Sequence, residues 1–108
     1  MRNANVCCRG TLAGVLSEDA KAGYQFQYRA DYLSSPNPPI SLTLPKQDAA
    51  FQSPVLFPFF FGLLAEGEAK TLQCRIYKID ANDSFSRLLK TCETETIGGV
   101  TVVEGEEA

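Results

Sequence analysis

The chain contains no histidine and no tryptophan, and only one methionine. Without histidine it lacks the commonest general base and the commonest metal ligand. Neither a Ser-His nor a Cys-His nucleophile pair can be built. No Gly-x-Gly-x-x-Gly follows a strand-like run, and no phosphate loop of the Gly-x-x-x-x-Gly-Lys type occurs. The four cysteines, Cys7, Cys8, Cys74 and Cys92, include no Cys-x-x-Cys pair, so their spacing gives a zinc site no support. They are expected to be reduced and structural, as in an intracellular chain. Ten Lys and Arg stand against thirteen Asp and Glu, for a net charge of −3, and no basic face is available for a phosphate backbone. No apolar run approaches the roughly 20 residues that cross a bilayer. The polar start, Met1-Arg2-Asn3-Ala4-Asn5, is followed by no signal-peptide core. These absences lead to the expectation of a cytoplasmic, non-membrane, non-enzymatic protein with no cofactor and no metal.

What is present is enough for one domain, 1–108. A chain of 108 residues buries roughly two-thirds of its unfolded surface. Hydrophobic residues make up 44% and charged residues 21%, an ordinary balance for a globular domain. The densest apolar stretch is Phe57-Pro58-Phe59-Phe60-Phe61-Gly62-Leu63-Leu64-Ala65-Glu66-Gly67. On a helix, Phe57, Phe60, Phe61 and Leu64 fall at i, i+3, i+4 and i+7 and make one face. Leu56, Phe59 and Leu63 make a second. A helix apolar on both faces is covered on both. The protein's own sheet is expected on one; the other is left for the rest of the chain or for a partner. Gly67 is placed to end the helix in the left-handed conformation.

Before this stretch the pattern is that of strands. Asn5–Cys8 and Thr11–Leu16 are separated by Arg9-Gly10, a hairpin signal. Ser17–Gly23 reads as a second turn. Tyr24-Gln25-Phe26-Gln27-Tyr28 alternates strictly and puts three aromatics on one face of a strand. Pro36-Asn37-Pro38-Pro39 must be a loop. Ile40-Ser41-Leu42-Thr43-Leu44 alternates again, with Ile40, Leu42 and Leu44 expected on the core side, and Phe51-Gln52 reads as a short strand or bridge. Both Ser53-Pro54 and Phe57-Pro58 can start a helix, with proline at its first position. After Gly67, Ala69, Leu72, Ile76 and Ile79 form an apolar stripe, with Lys70, Gln73 and Lys78 facing away. Asp83 can cap a third helix carrying Phe85, Leu88, Leu89 and Cys92 on one face. Ile97–Val103 closes as a strand, and Glu104–Ala108 reads as an acidic, disordered tail. Strands first, helices after and one strand last give an α+β fold. Its antiparallel sheet is a meander, partly barrel-like, with two to three helices in the C-terminal half.

Candidate chemistry is thin. Asp80 with Asp83 and Glu66 with Glu68 are acid pairs, but they lie at helix ends, where carboxylates cap and offset the dipole. Glu104, Glu106 and Glu107 could bind a cation, and a solvated tail accounts for them better. Tyr24, Phe26 and Tyr28 could stack bases; the scarcity of nearby cations favours core packing, so no direct nucleic-acid contact is expected.

Four blocks occur in order: Leu42-Thr43-Leu44-Pro45, Phe57 through Gly67, Asn82-Asp83-Ser84-Phe85-Ser86-Arg87-Leu88-Leu89, and Gly98-Gly99-Val100-Thr101-Val102. Together they resemble the N-terminal subdomain of HipA-type serine/threonine kinase toxins. Gly10 through Leu16 and Phe26-Gln27-Tyr28 fit that subdomain's first strands. Ala65 stands where the family usually has proline. In that family a larger kinase core carries the ATP-binding and catalytic residues; none of them is in these 108 residues, so the resemblance implies no kinase activity here. A free-standing copy of the subdomain resembles the small HipS-like component of split HipBST-type toxin–antitoxin systems. That implies a subunit docking on, and neutralising, a separately encoded HipA-like kinase, with a helix-turn-helix DNA-binding protein associated indirectly. The expected contacts are Phe59, Leu63, Glu66 and Gly67, on the second face of the phenylalanine helix and at its end. The alternative is a self-associating interaction module, a homodimer through the same surface.

Overall fold

Period-two alternation builds the sheet. The computed structural model describes residues 2–19, 23–64, 66–91 and 99–105. Strand β1 (Arg2–Cys8) and β2 (Thr11–Asp19) are joined at Arg9-Gly10. Both turn residues have positive φ, 51° and 82°, which is the two-residue hairpin turn whose twist matches that of the strands. Strand β3 (Gly23–Tyr28) follows, then the single helical turn α1 (Ala30–Leu33), and then β4 (Phe51–Ser53). Helices α2 (Pro58–Phe61), α3 (Gly67–Tyr77) and α4 (Ser84–Thr91) precede β5 (Val100–Glu104). The strands form one antiparallel sheet in the order β4-β3-β2-β1-β5. The α+β fold is therefore as expected, but the sheet is open. The partly barrel-like closure does not form: β4 and β5 lie at opposite edges.

One face of the sheet is the core. Ala4, Val6 and Cys8 of β1, Leu16 of β2, Phe26 and Tyr28 of β3, and Val100 and Val102 of β5 are buried on it. Phe60, Phe85 and Leu88 cover them, all fully buried. The Phe60 ring lies 5.7 Å from that of Phe26. Tyr28 organises the proline-rich loop. Its hydroxyl donates to the Leu44 carbonyl and accepts the Ile40 amide at 3.1 Å. Tyr32 stacks on it at 5.8 Å and donates to the Pro38 carbonyl at 2.5 Å. Lys46 closes the loop by donating to the carbonyls of Ser35 and Asn37, at 2.8 and 2.9 Å.

Several expectations change. Residues 40–44 form no strand. The Leu44 amide donates to the Ser41 carbonyl at 3.1 Å, and Ser41 Oγ accepts the Thr43 amide at 3.2 Å. The resulting turn leaves Leu42 96% exposed, while Ile40 and Leu44 stay buried because Tyr28 holds them. The phenylalanine helix is a single turn. It starts at Pro58, with Phe57 extended at φ −55°, ψ 138°, as a residue before proline must be. It stops at Gly62, and the chain bends so that Leu64 still reaches the core. Gly67 is left-handed, with φ 63°, but it opens α3 rather than closing α2. Glu104 belongs to β5, and the Gly105 amide donates to the Asn3 carbonyl at 2.9 Å; the remainder of the expected tail, 106–108, lies outside the described residues. Cys92 and Ile97 also lie outside them.

Two truncations separate pattern from structure. Leu44→Ala should destabilise the protein by about 2–5 kcal/mol. Leu42→Ala, two residues away and equally apolar, should stay within about 0.5 kcal/mol of the parent. Urea unfolding of the two variants checks this; equal costs would place residues 40–44 in a strand after all.

Candidate protein-docking face

Helix α3 is mounted with its sides reversed. Its half-buried side carries Lys70, Gln73 and Cys74, at i, i+3 and i+4. The apolar stripe faces outward: Leu72 is 56% exposed and Ile76 62%. Tyr77 is exposed as well, and no residue of the helix is buried. Spacing alone predicts the opposite, with Lys70 and Gln73 turned away from the core. Gly67 enters with φ 63° behind an extended Glu66 that makes no side-chain cap, and Lys78 leaves in the left-handed conformation at φ 56°. A lone apolar residue on a surface is ordinary; an exposed stripe along one helix is not.

The four predicted contact residues split into two pairs. Phe59 and Leu63 are half-buried and pack against the core, Phe59 edge-on to Phe60 with the ring centroids 5.2 Å apart. They line none of the three grooves that follow. Glu66 and Gly67 are exposed and do line one, of about 260 Å³, together with Phe61, Leu64, Lys70 and Arg87. Phe61 was expected on the buried face of the helix; it is 48% exposed. It also lines a second groove, of about 530 Å³, with Tyr24, Val55, Leu56, Ser84 and the two prolines, Pro54 and Pro58. Gly67 continues the surface into a third groove along α3, with Leu72 at its middle. Three depressions therefore join through Phe61 and Gly67 into one band that ends on the outward stripe of α3. Of the four residues expected from the sequence, Glu66 and Gly67 line this band and Phe59 and Leu63 do not. The exposure of Phe61, Leu72 and Ile76 was not expected, because their periodicity is visible in the sequence and its direction is not.

An ionic cluster holds one wall of this band. Arg2 donates through Nε to Glu18 Oε1 at 2.7 Å and through Nη2 to the same oxygen. It also donates through Nη1 to Ser86 Oγ at 2.7 Å and through Nη2 to Asp83 Oδ1 at 2.9 Å. Its guanidinium lies 4.9 Å over the Phe85 ring. Asp83 caps α4 by accepting the Ser86 amide at 3.1 Å and the Ser86 hydroxyl at 2.7 Å. Tyr24, a lining residue of the larger groove, donates to Glu18 Oε2 at 3.0 Å. Burial, then this bond, pushes the Tyr24 hydroxyl up to about 12. Burial alone would raise the Asp83 carboxyl. The hydrogen bonds from Arg2 and Ser86 outweigh it and hold the group below the usual carboxylate range. Among the described residues no group of three or more Cys, Asp or Glu side chains converges as a metal site would require. No helix there is long and apolar enough to cross a membrane.

Three comparisons bear on this geometry. The family model described as the HipA N-terminal domain matches residues 4–103. An uncharacterized protein of Haemophilus influenzae is 34% identical over 107 residues, which cover 99% of this chain and 96% of that relative. Among solved structures, the N-terminal domain of a HipA toxin superposes with a TM-score of 0.72 at 28% identity, over 100% of this chain and 96% of that one.

The clamp has a signature in pH. Asp83→Ala should lower the melting temperature at neutral pH by about 4–8 °C, since an N-cap is worth about 1 kcal/mol. The lowered Asp83 pKa contributes stability above the ordinary carboxylate range, lost as pH falls through the folded-state value. The gap between parent and variant should therefore close in acid. Thermal unfolding followed by circular dichroism at both pH values reads it; a gap that does not change with pH rejects the ionic part of the clamp.

Proposed function

Since the chain belongs to the HipA N-terminal domain family, we propose that it is a non-catalytic binding subunit that docks on a separately encoded HipA-like serine/threonine kinase core and neutralises it. The observation that carries this reading is the reversed helix. A chain that turns Leu72 and Ile76 outward and Lys70 and Gln73 inward keeps an apolar face for something other than its own core. The band leading to it through Phe61 and the Glu66-Gly67 corner extends that face, so several anchors can enter a partner together. The Haemophilus relative supports the separate encoding: 107 aligned residues fill 96% of it, leaving no room there for a kinase core. Phe59 and Leu63 then act from beneath, by fixing Phe60 and the turn that carries Glu66, while Phe61, Leu72 and Ile76 supply the contact. A helix-turn-helix DNA-binding protein joins such an assembly through the kinase. The role is cytoplasmic.

Co-expression with a HipA-like kinase encoded beside this chain should give a complex that co-purifies, with the kinase's autophosphorylation suppressed. Leu72→Asp combined with Ile76→Asp should weaken that complex by more than about thirtyfold, as loss of a central anchor does. Phe61→Asp should weaken it measurably, and Leu42→Asp, at an exposed turn elsewhere, should leave it intact. A kinase that neither binds the parent chain nor changes activity in its presence would remove this reading.

A further inference from the structure

The outward groove of α3 is lined by Gly67, Glu68, Thr71, Leu72 and Arg75 and has a volume of about 510 Å³. Its charges are ordered. Glu68 stands four residues before Leu72 and Arg75 three residues after it, so an acid and a base flank an apolar centre on one helical face. Neither makes an ion pair within the described chain. We infer that this face is self-complementary: α3 pairs with α3 of a second copy, antiparallel, about a two-fold axis at Leu72.

In that arrangement Leu72 meets Leu72 of the copy. Residues before the axis on one helix then lie beside residues after it on the other. Glu68 comes against Arg75 of the copy, and by symmetry Arg75 comes against its Glu68. Ile76 rests on Ala69 and on the aliphatic stem of Glu68. Gly67 has open space on its Cα, so the helix ends can approach closely. A parallel pairing, or one with the axis moved by a turn, would lose the acid–base match.

The area limits the strength. An eleven-residue helix is about 16 Å long, and two such helices cover far less than the roughly 1,200 Å² of a stable interface. The dimer is therefore weak and reversible. It covers the stripe when the protein is abundant and yields to a partner that offers a larger surface. The pairing does not rest on the kinase reading: it is a property of the chain alone.

Sedimentation velocity over about a hundredfold range of protein concentration tests it. The parent should show a concentration-dependent monomer–dimer equilibrium, and Leu72→Asp should stay monomeric. Leu72 is exposed, so this variant keeps its fold, which circular dichroism verifies. Glu68→Arg and Arg75→Glu should each weaken self-association by about fivefold or more. Mixed in equal amounts, the two variants should associate more tightly than either does alone, because an all-basic face then meets an all-acidic one. A parent that is monomeric throughout overturns the inference, as does a dimer that survives Leu72→Asp or a mixture no tighter than its components.

Discussion

The ring contact between Phe26 and Phe60, 5.7 Å apart, is the joint on which the rest of the molecule hangs. An antiparallel sheet with one apolar face has a fixed area to cover. Here a few large side chains cover it: Phe60 from α2, Phe85 and Leu88 from α4, Tyr32 from α1, and the pair Ile40 and Leu44 from a loop. Burying a side chain of this kind contributes about 1.5–3 kcal/mol, and α2 delivers its share from a single turn. Among the described residues this core is assembled without any buried side chain from α3. The stripe of Leu72 and Ile76 stays outside it.

The sequence was most legible where spacing and direction are the same thing. In β3, alternation alone assigned Tyr24, Phe26 and Tyr28 to one side, and a strand has only two sides. The Arg9-Gly10 hairpin and the Asp83 cap were readable because each is a local backbone demand; the start of α2 was narrowed to two prolines, Pro54 and Pro58, and the fold selects Pro58. Legibility failed where a long-range bond decided the outcome. Leu42 and Leu44 have the same alternation and the same chemistry, but only Leu44 has its carbonyl held by the Tyr28 hydroxyl. Periodicity in α3 showed that a stripe exists, and no local rule says which way a stripe faces. The same gap explains which residues are exposed. Glu66 and Gly67 were legible as an exposed corner because a glycine after an acid marks one, and the exposure of Phe61 was not, because a one-turn helix does not continue the face that its spacing suggests.

Arg2 illustrates how little a polar terminus announces. In the sequence it belongs to a stretch with no signal. In the fold it ties the first strand to the second through Glu18 and to the last helix through Asp83 and Ser86. The cluster is half open to solvent, with Arg2 41% and Asp83 35% exposed, so its Coulomb energy is screened and modest. Its value is geometric. It holds the start of α4 over the edge of the core, and Tyr24 on Glu18 keeps the neighbouring groove wall upright.

A helix that no core residue grips is also the part of a fold that opens first. The backbone bonds of α3 are held by their own turns, with no buried side chain behind them, so its free energy of local opening lies far below that of the strands. The amides of α3 would exchange with solvent long before those of β1 or β2, and the segment is in effect a separate folding unit attached at Gly67 and Lys78. A partner docking there as proposed would first have to hold the helix still. The affinity would then be set as much by the conformational freedom surrendered in α3 as by the apolar area covered.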